Sequence, residues 1–533
     1  MTARFARAIA FAGPLVVVAQ PAAAQSVRLE PYIEVEQVLL VPLSGNSGRV
    51  STATGVAAGA AASVQTTRTQ LTADVRYEHF FGWGNNAADG DVLSGIARGR
   101  TMLVPNLLSL DAGALASRST AGGLGAALGG NRFGSGTKVY AGYIGPELAT
   151  KVDGVGLTAG YRFGYSRVES GGGFNALTGA PFGLAQDATS HQLYASASAQ
   201  PGRLPFGWTL SGSYEREDSD PLDQRFQVGT VRADLTYPIS RTLAIVGGVG
   251  YESIRVSRRA AVVDANGLPV LDSNGRLQSD TSRPRLLAYD IDGLIYDGGL
   301  LWRPTPRTSV EGRVGHRYGG TTFTGAATWQ FSRSGGLSVV VFDERDTFGR
   351  SLTRGLSRLP TNFNVARGAF QNDLLGCVYG AAGTGACIDP LSSAFAATSF
   401  RSRGVNALVS LSRGVTSYGA GGGYTRRDFG APNLGAGALI IGTRDQTAYL
   451  NAFYSTRLSP RQSFGFDVTS SWYDPDRPIG GGGVFVLSGQ GQYGYAISNR
   501  LSASSSLGVY YFNPEDFRDQ VTAAARVALR YGF

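Results

Sequence analysis

The chain has 533 residues, a formal net charge of +9, 75 Gly, 24 Tyr, 26 Phe and only two Cys. A mean hydropathy of −0.05 and no run near the about 20 apolar residues of a spanning helix exclude a helical membrane protein. All but two of the 48 basic residues are Arg, the exceptions being Lys138 and Lys151; their spread of one or two per segment reads as lumen and loop charge, not as a nucleic-acid surface.

Arg4 and Arg7, the apolar run Ala8 to Ala19 and Ala22-Ala23-Ala24 before Gln25 read as a cleaved secretory signal over residues 1–24. From residue 25 to 533 there is no linker and no change of texture, so one barrel domain is expected. Successive segments of about 10 residues alternate with a period of 2, as strands between lipid and water do. Leu71, Ala73, Val75 and Tyr77 share one face, and Thr72, Asp74, Arg76 and Glu78 the other. Leu157, Ala159, Tyr161, Phe163 and Tyr165 alternate with Thr158, Gly160, Arg162 and Gly164. Val231, Ala233 and Leu235 alternate with Arg232 and Asp234, while Val310, Val314 and His316 alternate with Glu311, Arg313 and Arg317. Parity is ambiguous near Arg444 to Arg457.

Connections alternate in length. Short breaks fall at Thr66-Thr67, Pro105-Asn106, Asp153-Gly154, Pro238 to Arg241, Pro304 to Arg307, Ser334 to Gly336, Arg413-Gly414, Leu458 to Arg461 and Ser498 to Arg500. Long ones span Gly45 to Thr52, Gly82 to Gly90, Ala121 to Gly136, Gly171 to Ala188, Arg258 to Pro284, Thr347 to Arg401, Gly430 to Gly442 and Asp474 to Gly483. Short periplasmic turns and long extracellular loops are the barrel pattern. The fold class is therefore all-β: a single antiparallel transmembrane β-barrel of about 22 strands, with 20 the alternative, in the outer membrane of a Gram-negative bacterium. Such a cylinder is roughly 40 Å across, too wide for side chains to fill.

Something must then narrow the lumen. Strand pattern begins by about Leu29, leaving no amino-terminal plug domain, which disfavours a TonB-dependent receptor. Thr347 to Arg401 is the best candidate, since connections of this length are usually functional or disordered. An inward-folded constriction is expected, with an outward surface loop as the alternative. The segment holds Cys377 and Cys387, expected to form a disulfide in an oxidising compartment. Neither Cys has a second Cys or a His nearby, so no metal or cofactor is expected.

Other signals are bland. Asp264-Ala265-Asn266-Gly267 and Asp272-Ser273-Asn274-Gly275 faintly suggest calcium loops, but read as tandem surface turns. Gly123 to Leu128 lacks the βαβ unit of a dinucleotide site. His79 and His316 have lipid-side parity and His191 opens a strand near the surface, so no catalytic base is placed and no enzyme is expected. The final stretch returns to period 2, with Val527, Leu529, Tyr531 and Phe533 on one face and Arg526 and Arg530 on the other. Its terminal Phe533 and Tyr531 match the signal read by the barrel-assembly machinery.

Pro31-Tyr32-Ile33-Glu34-Val35-Glu36, Ser94-Gly95-Ile96-Ala97-Arg98-Gly99 and Pro105-Asn106-Leu107-Leu108-Ser109-Leu110-Asp111-Ala112-Gly113 resemble a family of sphingomonad-type proteobacterial outer-membrane barrels related to ones beside exopolysaccharide and protein-sorting gene clusters. The resemblance covers most of the mature chain. It implies a barrel and hints at polysaccharide export, with no functional residues to carry over. Some members carry a preprotein translocase subunit label; that accessory has a single membrane helix, which this sequence lacks.

The expected protein is an Arg-lined aqueous conduit, with Arg76, Arg98, Arg100, Arg162, Arg232, Arg313, Arg317, Arg526 and Arg530 facing the lumen beside Asp74, Glu78, Asp234 and Glu311. Exopolysaccharide export with a periplasmic partner is the first reading. A general or solute-selective porin is the second, and a structural or surface-adhesion barrel the third. Expected partners are outer-membrane lipid, the assembly machinery and a periplasmic polysaccharide-export component, without nucleic acid.

Overall fold

A computed structural model describes residues 26–533 apart from 45–49, 85–88, 120–136, 171–172, 175–180, 183–184, 221, 266–269, 271–277, 368–369, 371–373, 381–384, 388–398, 430–443, 477–482 and 516–517. The signal segment, the Gly123 to Leu128 run and both Asn-Gly dipeptides lie outside the described residues.

The alternating segments pair, each antiparallel to its chain neighbours, in one sheet of 22 strands. The first strand (Ser26–Ser44) closes onto the last (Gln520–Gly532), with Ile33 opposite Tyr531 and Val35 opposite Leu529. Closure satisfies the backbone of every strand and leaves no edge. The outward face is apolar: Val231 and Val527 are about 60% exposed, Leu294 68% and Leu507 71%. Such a belt belongs to a sheet whose solvent is lipid. Among the described residues no helix is long and apolar enough to cross a membrane. The molecule is an outer-membrane-type β-barrel.

Ten connections at one end are short and hydrogen-bonded across the turn, as where Thr66 N–H meets the Thr69 carbonyl at 2.8 Å and Ile497 N–H the Leu501 carbonyl at 2.9 Å. The sequence reading overlooked one of them, 200–206. The opposite end carries the long connections, but three there are tight: 220–223, 318–319 and 515–519. Leu222, Asp223 and Tyr318 have φ of 70°, 46° and 56°. These left-handed turns use residues other than the Asn-Gly pair that betrays such hairpins in a sequence. Near Arg444 to Arg457 the parity resolves: Leu450 and Tyr454 face out, while Asn451 and Phe453 face the interior and meet Tyr379.

The largest departure from a simple barrel lies between the strands Gly335–Asp346 and Phe400–Arg413. This connection turns inward. It starts with the helix Phe348–Arg358, the one helix among the described residues, and continues into a small sheet of Phe363–Arg367, Leu374–Gly380 and Gly385–Cys387. Phe348, Leu352 and Leu356 recur at four-residue spacing, which places them on one helix face. With Leu359 and Phe363 they bury against Ile96, Leu115, Val139, Ala141, Tyr143 and Val168 of the inner wall. Gly349 allows the approach, since a Cβ there would lie 2.7 Å from Ser166 Oγ and 2.8 Å from Glu217 Oε2. Burying five large apolar side chains contributes on the order of 10 kcal/mol before ordering costs.

Candidate functional site in the barrel lumen

The candidate site is the lumen and the segment within it. At the seam between first and last strands, Glu34 and Glu36 point inward, as do Arg526 and Arg530 opposite. Arg76 joins them from the third strand, 3.0 Å from Glu34, 3.1 Å from Glu36 and 2.7 Å from Glu78. Arg526 Nε donates to Glu36 at 2.7 Å and Arg530 Nε to Glu34 at 2.6 Å. Three guanidiniums thus balance three carboxylates, and Arg76, Glu36 and Glu78 are each about 1% exposed. Breaking such a buried network by removing one partner is expensive, because a desolvated charge is left behind.

The other candidate arginines also turn inward and are engaged. Arg98 pairs with Asp111 at 2.7 Å and lies over the Tyr143 ring. Arg100 meets Glu147 at 2.6 Å. Arg162 donates to Gln192 at 3.0 Å and sits between the Tyr143 and Tyr194 rings. Arg232 lies 2.8 Å from Asp234 and 2.6 Å from Asp297, while Arg313 reaches Asp234 at 2.7 Å, Asp297 at 3.1 Å and Glu311 at 2.6 Å. Arg317 pairs with Glu252 and lies over the Tyr318 ring. The inner wall is therefore a lattice of matched charges, whose local pairing cancels much of the field.

The internal segment ties into this lattice. Arg350 donates to Glu215 at 2.7 Å over the Phe226 ring. Arg354 contacts Glu344 at 2.9 Å and Asp346 at 3.3 Å. Burial works against both guanidinium charges, but Glu215, Asp346 and Glu344 more than offset it, so both hold their protons more tightly than an ordinary Arg. The segment then descends to the short-turn end, where Thr72 Oγ1 donates to the Thr361 carbonyl at 2.8 Å and Thr361 Oγ1 to Gln70 at 2.6 Å. Arg367 returns to Asp74 and donates to Ser94 at 2.7 Å. Phe370, 1% exposed, closes against Val38, Leu40, Phe80, Val92 and Ala524 beside Tyr510.

A second descent carries the cysteines. Cys377 and Cys387 face each other across two short strands and form a disulfide. They rest on the backbone at Gly421, where a Cβ would lie 2.8 and 2.9 Å from the two sulfurs. Tyr379 packs against Phe453 with ring centroids 4.6 Å apart and planes tilted by 59°, and burial pushes its phenol well above the ordinary range. Ser410 Oγ donates to the Gly380 carbonyl at 3.4 Å, three residues from the short-turn end of its strand. The segment therefore spans the lumen lengthwise twice.

Among the described residues it leaves a cavity of about 450 Å³ at the short-turn end. Arg457, Arg461, Arg526 and Arg530 line it from the wall, Arg367 from the internal segment, and Glu34 is the sole acidic lining residue; Gln462, Ser463, Gln492, Ser502 and Ser504 supply neutral polar groups. Arg457 and Arg461 make no ion pair among the described residues. The sequence reading did not single out either one.

All three histidines lie on the outward face. His79 Nδ1 is 2.7 Å from Asp91, and His316 stacks on Tyr296. His191 does not open its strand but sits within Ala185–Ala199, 2.7 Å from the Tyr161 hydroxyl. Tyr531 and Phe533 contact each other edge to face at 5.3 Å, and Phe533 is 69% exposed. No group of His, Cys, Asp and Glu suited to a metal occurs among the described residues.

Neither a protein-family model nor a curated protein matches the sequence. Among solved structures, the chain is similar to the FrpB iron transporter from Neisseria meningitidis, F5-1 variant, at 10% identity and a TM-score of 0.45 over 95% of this chain and 82% of that one. The siderophore receptor PirA from Acinetobacter baumannii gives 8% and 0.44 over 95% and 81%, and the copper transporter OprC 10% and 0.42 over 96% and 82%.

Proposed function

We propose that this chain is a gated outer-membrane conduit, held shut by its own segment between Asp346 and Phe400. The observation that carries the reading is the mode of attachment. The segment is docked on the wall by buried apolar and ionic contacts, yet is joined to it covalently only where it leaves and rejoins the barrel. A docked segment of this kind can leave the lumen without breaking the strand ladder, which is how a bistable element gates a pore. Passage through the barrel would be passive, steered by the charges of the wall. A permanently open porin fits poorly, because the lumen is crossed from end to end. Export of an extended polysaccharide is the cargo that the sequence resemblance suggests.

Single-channel recording on the refolded mature protein tests this. The intact chain should be quiet, and Thr72→Cys/Thr361→Cys, cross-linked near the short-turn end, should stay quiet under conditions that open the parent. Replacing 348–398 by a short flexible linker should give a large steady current. Openings of the parent that persist unchanged in the cross-linked variant would refute gating by this segment, as would a deletion that still conducts nothing.

A further inference from the structure

Seven of the ten short connections contain an Arg, including Arg203, Arg241, Arg333 and Arg500, and an eighth is flanked by Arg413. All are exposed, and none makes an ion pair among the described residues. The ten connections hold a single carboxylate, Asp153. Of the three tight turns at the opposite end, one carries Asp220 and Asp223, one carries Glu515 and Asp519 beside Arg518, and the third, Tyr318-Gly319, is uncharged. The short-turn mouth is therefore ringed by cations with almost no acid among them. At one sector the ring runs inward: Arg461 in its turn, then Arg457, then Arg367, Arg526 and Arg530 around the cavity. A ring serving only the lipid headgroups outside the barrel would have no reason to continue into the lumen.

Resting on the conduit reading, we infer that this mouth is a loading site for an acidic oligosaccharide or polysaccharide chain bearing carboxylates. Fixed positive charge at a concave opening with low-dielectric walls raises the local concentration of an anion and speeds its arrival. Within the cavity, guanidiniums can hold carboxylates in bidentate fashion. The hydroxyls and amides of Ser463, Ser502, Ser504, Gln462 and Gln492 match the neutral hydroxyls of a sugar. Arg457 and Arg461 are the two cations free to take the ligand, since Arg526, Arg530 and Arg367 already hold Glu34, Glu36 and Asp74. Loading from the short-turn side gives the conduit its direction, from that mouth toward the long loops.

Calorimetric titration of the intact mature protein with oligogalacturonate, with neutral maltooligosaccharide as control, tests the assignment. Binding should be selective for the acidic sugar and fall steeply with added salt. Arg457→Gln/Arg461→Gln should weaken it about tenfold, while Arg457→Lys/Arg461→Lys retains most of it. Arg241→Gln/Arg333→Gln, outside the cavity, should slow association and leave the dissociation rate unchanged when both are measured by surface plasmon resonance. No binding of oligogalacturonate, or binding indifferent to the cavity pair, overturns the inference. So does protein that ignores the sugar but enriches phosphatidylglycerol over phosphatidylcholine around the barrel through these same arginines, which would make the ring a lipid contact. Binding occurs at the closed barrel's mouth, so it survives even if no opening is ever recorded, and failure of the gate is told apart from failure of the site.

Discussion

Glu215→Gln should loosen the internal segment without harming the barrel. Glu215 lies on the inner wall, 2.7 Å from Arg350 and 3.6 Å from Arg354, and Arg350 is only 3% exposed. The substitution keeps size and one acceptor oxygen but removes the charge, leaving Arg350 with Asp346 at 3.5 Å as its remaining counter-ion. Breaking a buried pair by deleting one partner costs about 3 to 5 kcal/mol. Because undocking lets Arg350 regain water while the strand ladder stays intact, nearly all of that cost falls on the docked state. At about 1.4 kcal/mol per tenfold, the undocked fraction rises roughly 10²- to 4 × 10³-fold. Single-channel open probability should rise by that factor, and trypsin should cut at Arg354 or Arg358 while the barrel keeps its heat-modifiable migration. The control is Glu311→Gln, where Arg313 retains both Asp234 and Asp297 and the effect should be small. Unchanged open probability and protease resistance in a folded Glu215→Gln barrel would refute the claim that the ion cluster holds the segment down.

Phe370→Ala empties a fully buried contact with Val38, Phe80 and Val92 and should cost about 3 to 5 kcal/mol locally, seen as faster amide exchange in residues 363–380 with the strands unaffected. Gly421→Leu drives a side chain into both sulfurs of the disulfide, so that turn should lift and dithiothreitol should reduce it at least several-fold faster, measured by thiol alkylation. Deleting Phe533 should lower the heat-modifiable fraction recovered from outer membranes while leaving refolding in detergent intact, because the residue is exposed and its role would lie in recognition by the assembly machinery.

Strand existence, strand direction and the inward parity of Arg76, Arg232, Arg313 and Arg526 were legible in the sequence because a period of 2 is a local signal. The helix has a local signal too: Phe348, Leu352 and Leu356 repeat every four residues, as do Arg350, Arg354 and Arg358. A second signal lay in the wall. Ile96, Leu115, Val139 and Val168 share the inward parity of Arg98, Asp111 and Arg162, where a water-filled lumen calls for polar residues, and they are where the helix docks. Which carboxylate each Arg meets was not legible. Arg350 and Glu215 are 135 residues apart, and such a match depends on barrel curvature and on how deep the segment sits, neither of which any local pattern encodes. The basic mouth was hidden by counting arginines per strand, when the informative count is per turn.

The seam has a consequence for how the barrel comes together. Until the last strand arrives, Glu34, Glu36 and Glu78 crowd around Arg76 alone, a surplus of negative charge that favours an unsealed, hydrated edge. Arg526 and Arg530 bring the missing cations in the native register, and a slip of one residue would turn both toward lipid. The final step of closure thus carries its own proofreading: a misaligned last strand meets uncompensated carboxylates, whereas the correct one neutralises them and shuts out the water that kept the edge open.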